Sequence, residues 1–414
     1  MIDILKKEIE RKIGRKITNR GDCELVSNVI LEIIDKDISY NTIRRFFGLL
    51  SYTKPNKKTL NTLCQFIGYK NYIHFTRNYQ YKQKINLSHK IYEAVAEEDE
   101  GKLINLVTKT KNSSEDFISL TITLIRELLH DEDYVSINQL FQLKALNYGS
   151  FSYSEVLQLG NAIGLLLRKK NKIDPLLLNN INFLECIYLT FVDYSSLNKY
   201  YGNWCETIKN NNIRKDITLF SNALLEFKNF LNHKSVTEID INFIYNNQLH
   251  PILCGRLLAL KLLNANSNAT LEILESHFKT VTKKGNLISN YYELFTTSIL
   301  TKNLEMMKFL IDNLTLQVEF YYQKSHLNSF YLMCVYYYRL TGNQENESKF
   351  IKAFSLSECR HSYKEFITLM YLVYEFNMNT KSSEKNKIKN RYLKLSEKLN
   401  YSYFSEDYLL NYFN

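Results

Sequence analysis

In the stretch ISYNTIRRFFG, residues 38–48, an asparagine and two arginines precede two phenylalanines. Residues three and four apart share one face of a helix. That spacing groups Tyr40, Asn41 and Arg44 on one side and Ile43, Phe46 and Phe47 on the other. Arginine beside asparagine is chemistry for a base edge: Arg donates twice to guanine O6 and N7, and Asn pairs with adenine N6 and N7. The plainer reading of the same spacing is an amphipathic helix with a charged outer face. On either reading the phenylalanines seat the helix.

Cations follow. Arg45, Lys54, Lys57 and Lys58 are placed to flank a groove as phosphate contacts, which position a protein without specifying sequence. The helix expected to begin near Lys57 adds backbone amides around Lys57 to Thr59, which suit a phosphate. The charge is concentrated here. Residues 1–90 hold 18 Lys/Arg against 8 Asp/Glu, and the remaining residues hold 35 of each, so the whole net charge of +10 lies in the first fifth. Residues 38–90 contain seven Lys, three Arg and no acid; the next acid is Glu93. Such a field attracts polyanions: nucleic acid, an anionic membrane surface or an acidic protein.

Other chemistry is absent from the sequence. There is no Gly-rich phosphate loop, no H-E-x-x-H, no G-x-S-x-G and no kinase-type signature. His250 with Cys254, and Cys359 with His361, each offer two ligands where a zinc site needs three or four. HDED (130–133) and EEDE (97–100) read as helix-end and turn charge, and Trp204 as a packing residue. The Tyr-rich NYQYK and VYYYRL segments read as helix interfaces rather than base-stacking platforms. No catalytic residue, metal or cofactor is expected. Seven scattered Cys without a Cys-x-x-Cys pair fit buried thiols in a reducing cytoplasm. The start, MIDILKKEIERKIGRK, reads as an amphipathic helix rather than a secretory leader. The most apolar run, LCGRLLALKLL, is broken at Arg256 and Lys261, far short of the ~20 apolar residues of a membrane span.

The elements that must position these residues are helices. Twelve Gly and three Pro in 414 residues are too few turn formers for a β-rich fold. The first eighty residues divide into five helices. The first covers 2–13, with Ile2, Leu5, Ile9 and Ile13 at helical spacing. The second covers 22–35, capped by Asp22, with Leu25, Val29 and Ile33 as its stripe. The third covers 40–48, capped by Ser39 and closed by Gly48. The fourth covers 57–67, with Leu60, Leu63, Cys64 and Ile67 on one face, and the fifth 71–80. From residue 85 longer apolar stripes recur between short polar breaks. IYEAVAEEDEGKLINLV (91–107) and YLMCVYYYRLTGNQENESKFIKAF (331–354) read as helix, polar turn, helix. Helices with one apolar face stack in pairs, as in tetratricopeptide-like hairpins. A non-repeating helical domain is the other arrangement.

Residues 23–69, CELVSNVILEIIDKDISYNTIRRFFGLLSYTKPNKKTLNTLCQFIGY, are similar to the Cro/C1-type helix-turn-helix. Ser39, Ile43, Arg44, Phe46 and Gly48 stand where that family has the cap, the apolar seat, the solvent-facing polar residue, the second seat and the closing Gly of its recognition helix. KPNKKTLNTLCQFIG resembles the family's closing helix. The loop between the first two helices is longer than usual, and DKDIS replaces the usual small-residue turn. The resemblance implies duplex DNA as partner, with helix 39–48 in the major groove and Tyr40, Asn41, Arg44, Arg45, Lys54, Lys57 and Lys58 in contact with it. Domain order also resembles bacterial regulators that sense peptides through a tetratricopeptide-like domain. That implies a homodimer and a peptide or protein ligand on the second domain.

The expectation is therefore an all-α chain in three parts. A small helix-turn-helix bundle covers 1–80, a linker 81–90, and a tetratricopeptide-like α-solenoid of helical hairpins 91–414. Its function is that of a cytoplasmic DNA-binding regulator. The alternative is a non-enzymatic interaction scaffold whose basic module docks on RNA or an acidic protein. An enzyme without a recognisable motif is the third reading.

Overall fold

The computed structural model describes residues 1–51, 53–113, 117–170, 173–237, 251–263, 265, 267–281, 291–314, 323–359 and 363–414. Among them every regular element is a helix and no strand occurs, so the chain is all-α. It divides into two units, Met1–Glu97 and Glu98–Asn414.

The first unit comprises α1 (Ile2–Ile13), α2 (Arg20–Ile34), α3 (Tyr40–Phe47), α4 (Lys57–Phe66) and α5 (Tyr72–Ala96). Its core joins Leu5 and Ile9 of α1, Cys23, Val26 and Ile30 of α2, Ile43 and Phe46 of α3, Leu63, Cys64 and Phe66 of α4, and Phe75 of α5. The stripe expected on α2 is corrected. Leu25 and Ile33 are 37% and 52% exposed, and Cys23, Val26 and Ile30 are buried instead. α2 carries two apolar rows at helical spacing, and the one that folds inward is the one in the core shared with α3 and α4. The cap is corrected as well. Asn19 caps α2, and Asp22 is the third residue of a reciprocal capping box. The Asp22 carboxyl accepts from the Thr18 and Asn19 amides at 3.0 and 3.2 Å and pairs with Arg15 at 3.1 Å. The Thr18 amide above all holds its pKa below the usual carboxylate range.

Residues 81–90, expected as a linker, lie inside α5, and the units divide between Glu97 and Glu98. Phe75 is buried among the rings of Tyr69, Tyr72 and Tyr79. Further along, Ile91 and Ala94 are buried. At about 100° per residue, Ile91 lies about 160° around the helix from Phe75. The apolar stripe changes side midway, which in sequence looks like the end of a helix.

In the second unit, successive helices form antiparallel-type hairpins across short turns: 200–211 with 215–231, 324–340 with 344–353, and 363–378 with 382–399. Contacts also run in a chain from helix 215–231 to 251–262, 292–301, 324–340 and 363–378. The end of the chain then returns to its middle. The Tyr401 hydroxyl accepts the Leu197 amide at 2.9 Å and donates to the Tyr194 carbonyl at 2.5 Å. The Tyr403 amide donates to Leu231 O at 3.0 Å, and the Tyr412 hydroxyl to Ile299 O at 2.5 Å. A stack in which each repeat touches only its neighbours has no such cross-links.

At the centre of this unit, Arg256 meets Glu293 at 2.8 Å, both fully buried. The guanidinium lies 4.0 Å from the Phe227 ring centroid, and the Tyr194 hydroxyl also donates to Glu293. Burial pushes the Glu293 carboxyl up and the Arg256 guanidinium down to about 10. Nearby elements press together without side chains. On helix 153–170, a Cβ at Gly160 would fall 1.8 Å from Thr190 Oγ1, and one at Gly164 2.1 Å from the Phe191 ring. HDED and Trp204 stand as expected: Asp133 caps helix 134–142, and Trp204 is buried beside Tyr200 and Tyr201. Tyr336 of VYYYRL is buried against Tyr412 and Phe413. No helix among the described residues is long and apolar enough to cross a membrane.

Gly160→Ala and Gly164→Ala are each expected to cost about 1–3 kcal/mol through overpacking, read as a lower urea midpoint. His277 supplies a pH test. Burial pulls its imidazole from 6.5 down to about 4, so the unfolded chain takes up a proton at a higher pH than the folded one. Stability is then lost as pH falls from about 6.5 to about 4, by at most ~3 kcal/mol for this group. Wild type is expected to lose that much more than His277→Leu across the window in urea unfolding at each pH.

Candidate nucleic-acid interface

α3 is only eight residues long and is held at both ends. The Ser39 side chain accepts from the Asn41 amide at 3.2 Å. Gly48 closes the helix in the left-handed region at φ 82°, and the Leu49 amide reaches back to Arg44 O at 2.8 Å. The DKDIS turn is fixed from inside. Asp35 takes the left-handed conformation, Ile38 is buried, and Ser27 Oγ donates to Ile38 O at 2.5 Å. α2 packs on both α3 and α4, so it is the common support of the two helices that carry the expected contacts.

Ile43 and Phe46 are buried and Phe47 half-buried, as the spacing requires. On the other side the residues are not equally free. Tyr40, Asn41 and Arg44 are half-buried, and Arg45 is exposed. Tyr40 packs against the core and lies beneath Arg20, whose guanidinium is 5.0 Å from the ring centroid. Arg20 also pairs with Glu24 at 2.7 Å, which raises its pKa. Arg44 Nη1 donates to Asn41 Oδ1 at 3.2 Å, while Arg44 Nε is covered and finds no hydrogen-bond partner among the described residues. Asn41 and Arg45, four apart, face outward, with Arg44 beside them. Neither Glu32 nor Asp35 pairs with Arg44 among the described residues.

Lys54, Lys57 and Lys58 are exposed. Asn56 caps α4 and takes the Thr59 amide at 2.8 Å, so that amide is not open to a phosphate. The amides of Lys57 and Lys58 are the ones left at this end. Among the described residues, none of Arg44, Arg45, Lys54, Lys57 and Lys58 has an acidic partner. The contrast lies on α1, α2 and the loop between them, where Lys6, Arg11, Arg15 and Arg20 pair with Asp3, Glu8, Asp22 and Glu24. The structure thus joins Asn41 to Arg44 and sets Arg45 beside them, while Lys54, Lys57 and Lys58 occupy the approach to and first turn of α4. The Arg20 stack on Tyr40 was not legible from sequence, because it depends on how α2 crosses α3.

No group of three or more His, Cys, Asp or Glu that could hold a metal occurs among the described residues. His250 and His361 lie outside the described residues. None of the seven cysteines is in a disulfide, and burial pushes Cys64, Cys186, Cys205 and Cys359 up to about 12. Comparison with family models, with curated proteins and with solved structures finds no match.

Ser39→Ala is expected to destabilise the first unit by about 1 kcal/mol, and Phe46→Ala by about 3–5 kcal/mol. Urea unfolding checks both. A smaller loss for Phe46→Ala than for Ser39→Ala would refute this account of what seats α3.

Proposed function

We propose that the chain is a cytoplasmic DNA-binding regulator. α3 enters the major groove of duplex DNA as a helix-turn-helix recognition helix, and the second unit serves as a ligand-sensing or oligomerisation domain. The observation that carries the reading is the set of exposed cations on α3, α4 and the segment before α4, without one acidic partner among the described residues, on a helical unit with its own core. A charge left unpaired on a fixed surface is available to a polyanion. Arg44 and Asn41 fit base reading, and Arg45, Lys54, Lys57 and Lys58 fit phosphate contacts.

The hairpin pairing of the second unit supports a tetratricopeptide-like solenoid that binds a peptide or protein. The return of its C-terminal segment onto residues 194–231 departs from an open stack of this kind. The reading has the chain act as a homodimer without catalysis.

The experiment is a salt-dependent shift assay with duplex DNA selected from a random pool. Arg44→Ala is expected to cost about 1–3 kcal/mol of specific binding and to relax preference at one position. Lys57→Ala weakens specific and random duplex alike and lowers the salt slope by about one. Equal affinity for single-stranded RNA and duplex DNA replaces this reading with the scaffold.

A further inference from the structure

α3 and α4 do not exhaust the acid-free stretch. It continues through Lys70 and along α5 to Glu93, with Lys70, Arg77, Lys82 and Lys90 exposed. None of these four has an acidic partner among the described residues, whereas His89, one turn before Glu93, does at 3.5 Å. The start of α5 is fastened to α4. The Tyr72 amide donates to Asn61 Oδ1 at 3.0 Å, and Asn61 lies one helical turn from Lys57. The Lys70 amide is held by His74 Nδ1 at 3.2 Å, and the Gln65 side chain donates to Lys70 O at 3.2 Å. The cations of α4 and those at the start of α5 therefore belong to one braced corner of the unit.

Where Phe75 faces inward, Lys70 and Arg77, seven apart, face solvent together at this corner. At about 100° per residue, Lys82 and Lys90 lie about 140° around the helix from Arg77 and do not share its face.

We propose that Lys70 and Arg77, at the start of α5, form a second contact to duplex DNA, on the phosphates outside the groove occupied by α3. This rests on the reading of the first unit as a DNA-binding module. The contact adds affinity and reach to the module and carries no sequence preference, because lysine and arginine on phosphates do not distinguish bases.

The test uses the full chain and a K70Q/R77Q variant, with a preferred duplex and a random duplex titrated between about 50 and 200 mM salt. Circular dichroism and the thermal midpoint confirm that the variant is folded. Two lost phosphate contacts are expected to lower the slope of log affinity against log salt by about 2, equally for both duplexes. The preference ratio stays unchanged, and a K70R/R77K variant keeps the wild-type slope. If wild type binds duplex and the double variant keeps its slope, the second contact is refuted while the module reading stands. A double variant that loses preference instead of affinity also refutes it. Wild type that binds no duplex at all overturns the module reading, and this proposal with it.

Discussion

The first unit depends on the burial of Ile43 and Phe46. A helix of eight residues is far below the ~12–15 needed for stability alone in water, so α3 exists only as part of a core. The two side chains reach into a pocket made by α1, α2 and α4, and Phe47 closes against it. Once they are seated, the remaining face of α3 has no freedom of orientation. Asn41 and Arg45 must point out, and Arg44 must lie along the edge, where it meets Asn41. The Ser39 cap and the Gly48 turn sharpen the ends, but the phenylalanine fixes the direction.

Electrostatics then divides the chain. Outside residues 38–92, acids are interspersed with the bases, and many pairs form, from Lys6–Asp3 on α1 to Arg168–Glu365 and Lys389–Glu406 in the second unit. Exposed pairs of this kind contribute at most about 1 kcal/mol each, and their larger effect is to cancel the local field. Among the described residues of 38–92 no lysine or arginine has an acidic partner, so ion pairing does not account for them.

The second unit solves a different problem. Its interior carries many tyrosines, and each buried hydroxyl needs an acceptor. Long-range bonds supply many of them: Tyr401 to Tyr194 and Tyr412 to Ile299 from the C-terminal segment, and Tyr336 to Met370 and Tyr374 to Glu347 between helices. Arg256 and Glu293 offset each other's burial in the same way, which is why an arginine can stand inside the most apolar run of the sequence. In sequence that arginine reads as an interruption of an apolar run; in the fold it is fully buried against Glu293.

The sequence by itself determined what depends on neighbours along the chain. The scarcity of Gly and Pro set an all-α fold. Ser39 and Gly48 marked the ends of α3, Leu63 and Cys64 its partner face on α4, and the missing acids of 38–92 needed only to be counted. The tertiary structure decided whatever required a choice between equivalent local options. α2 has two apolar rows, Leu25–Val29–Ile33 and Cys23–Val26–Ile30, and only contact with α3 and α4 selects the second. α5 reads as a helix followed by a linker because Phe75 and Ile91 are buried on different sides, so no single periodicity runs through it. The partners of Arg44 and Tyr40, namely Asn41 on the same helix and Arg20 on the one before, follow from side-chain reach and helix crossing. Spacing gives a face, and only packing says what lies against it.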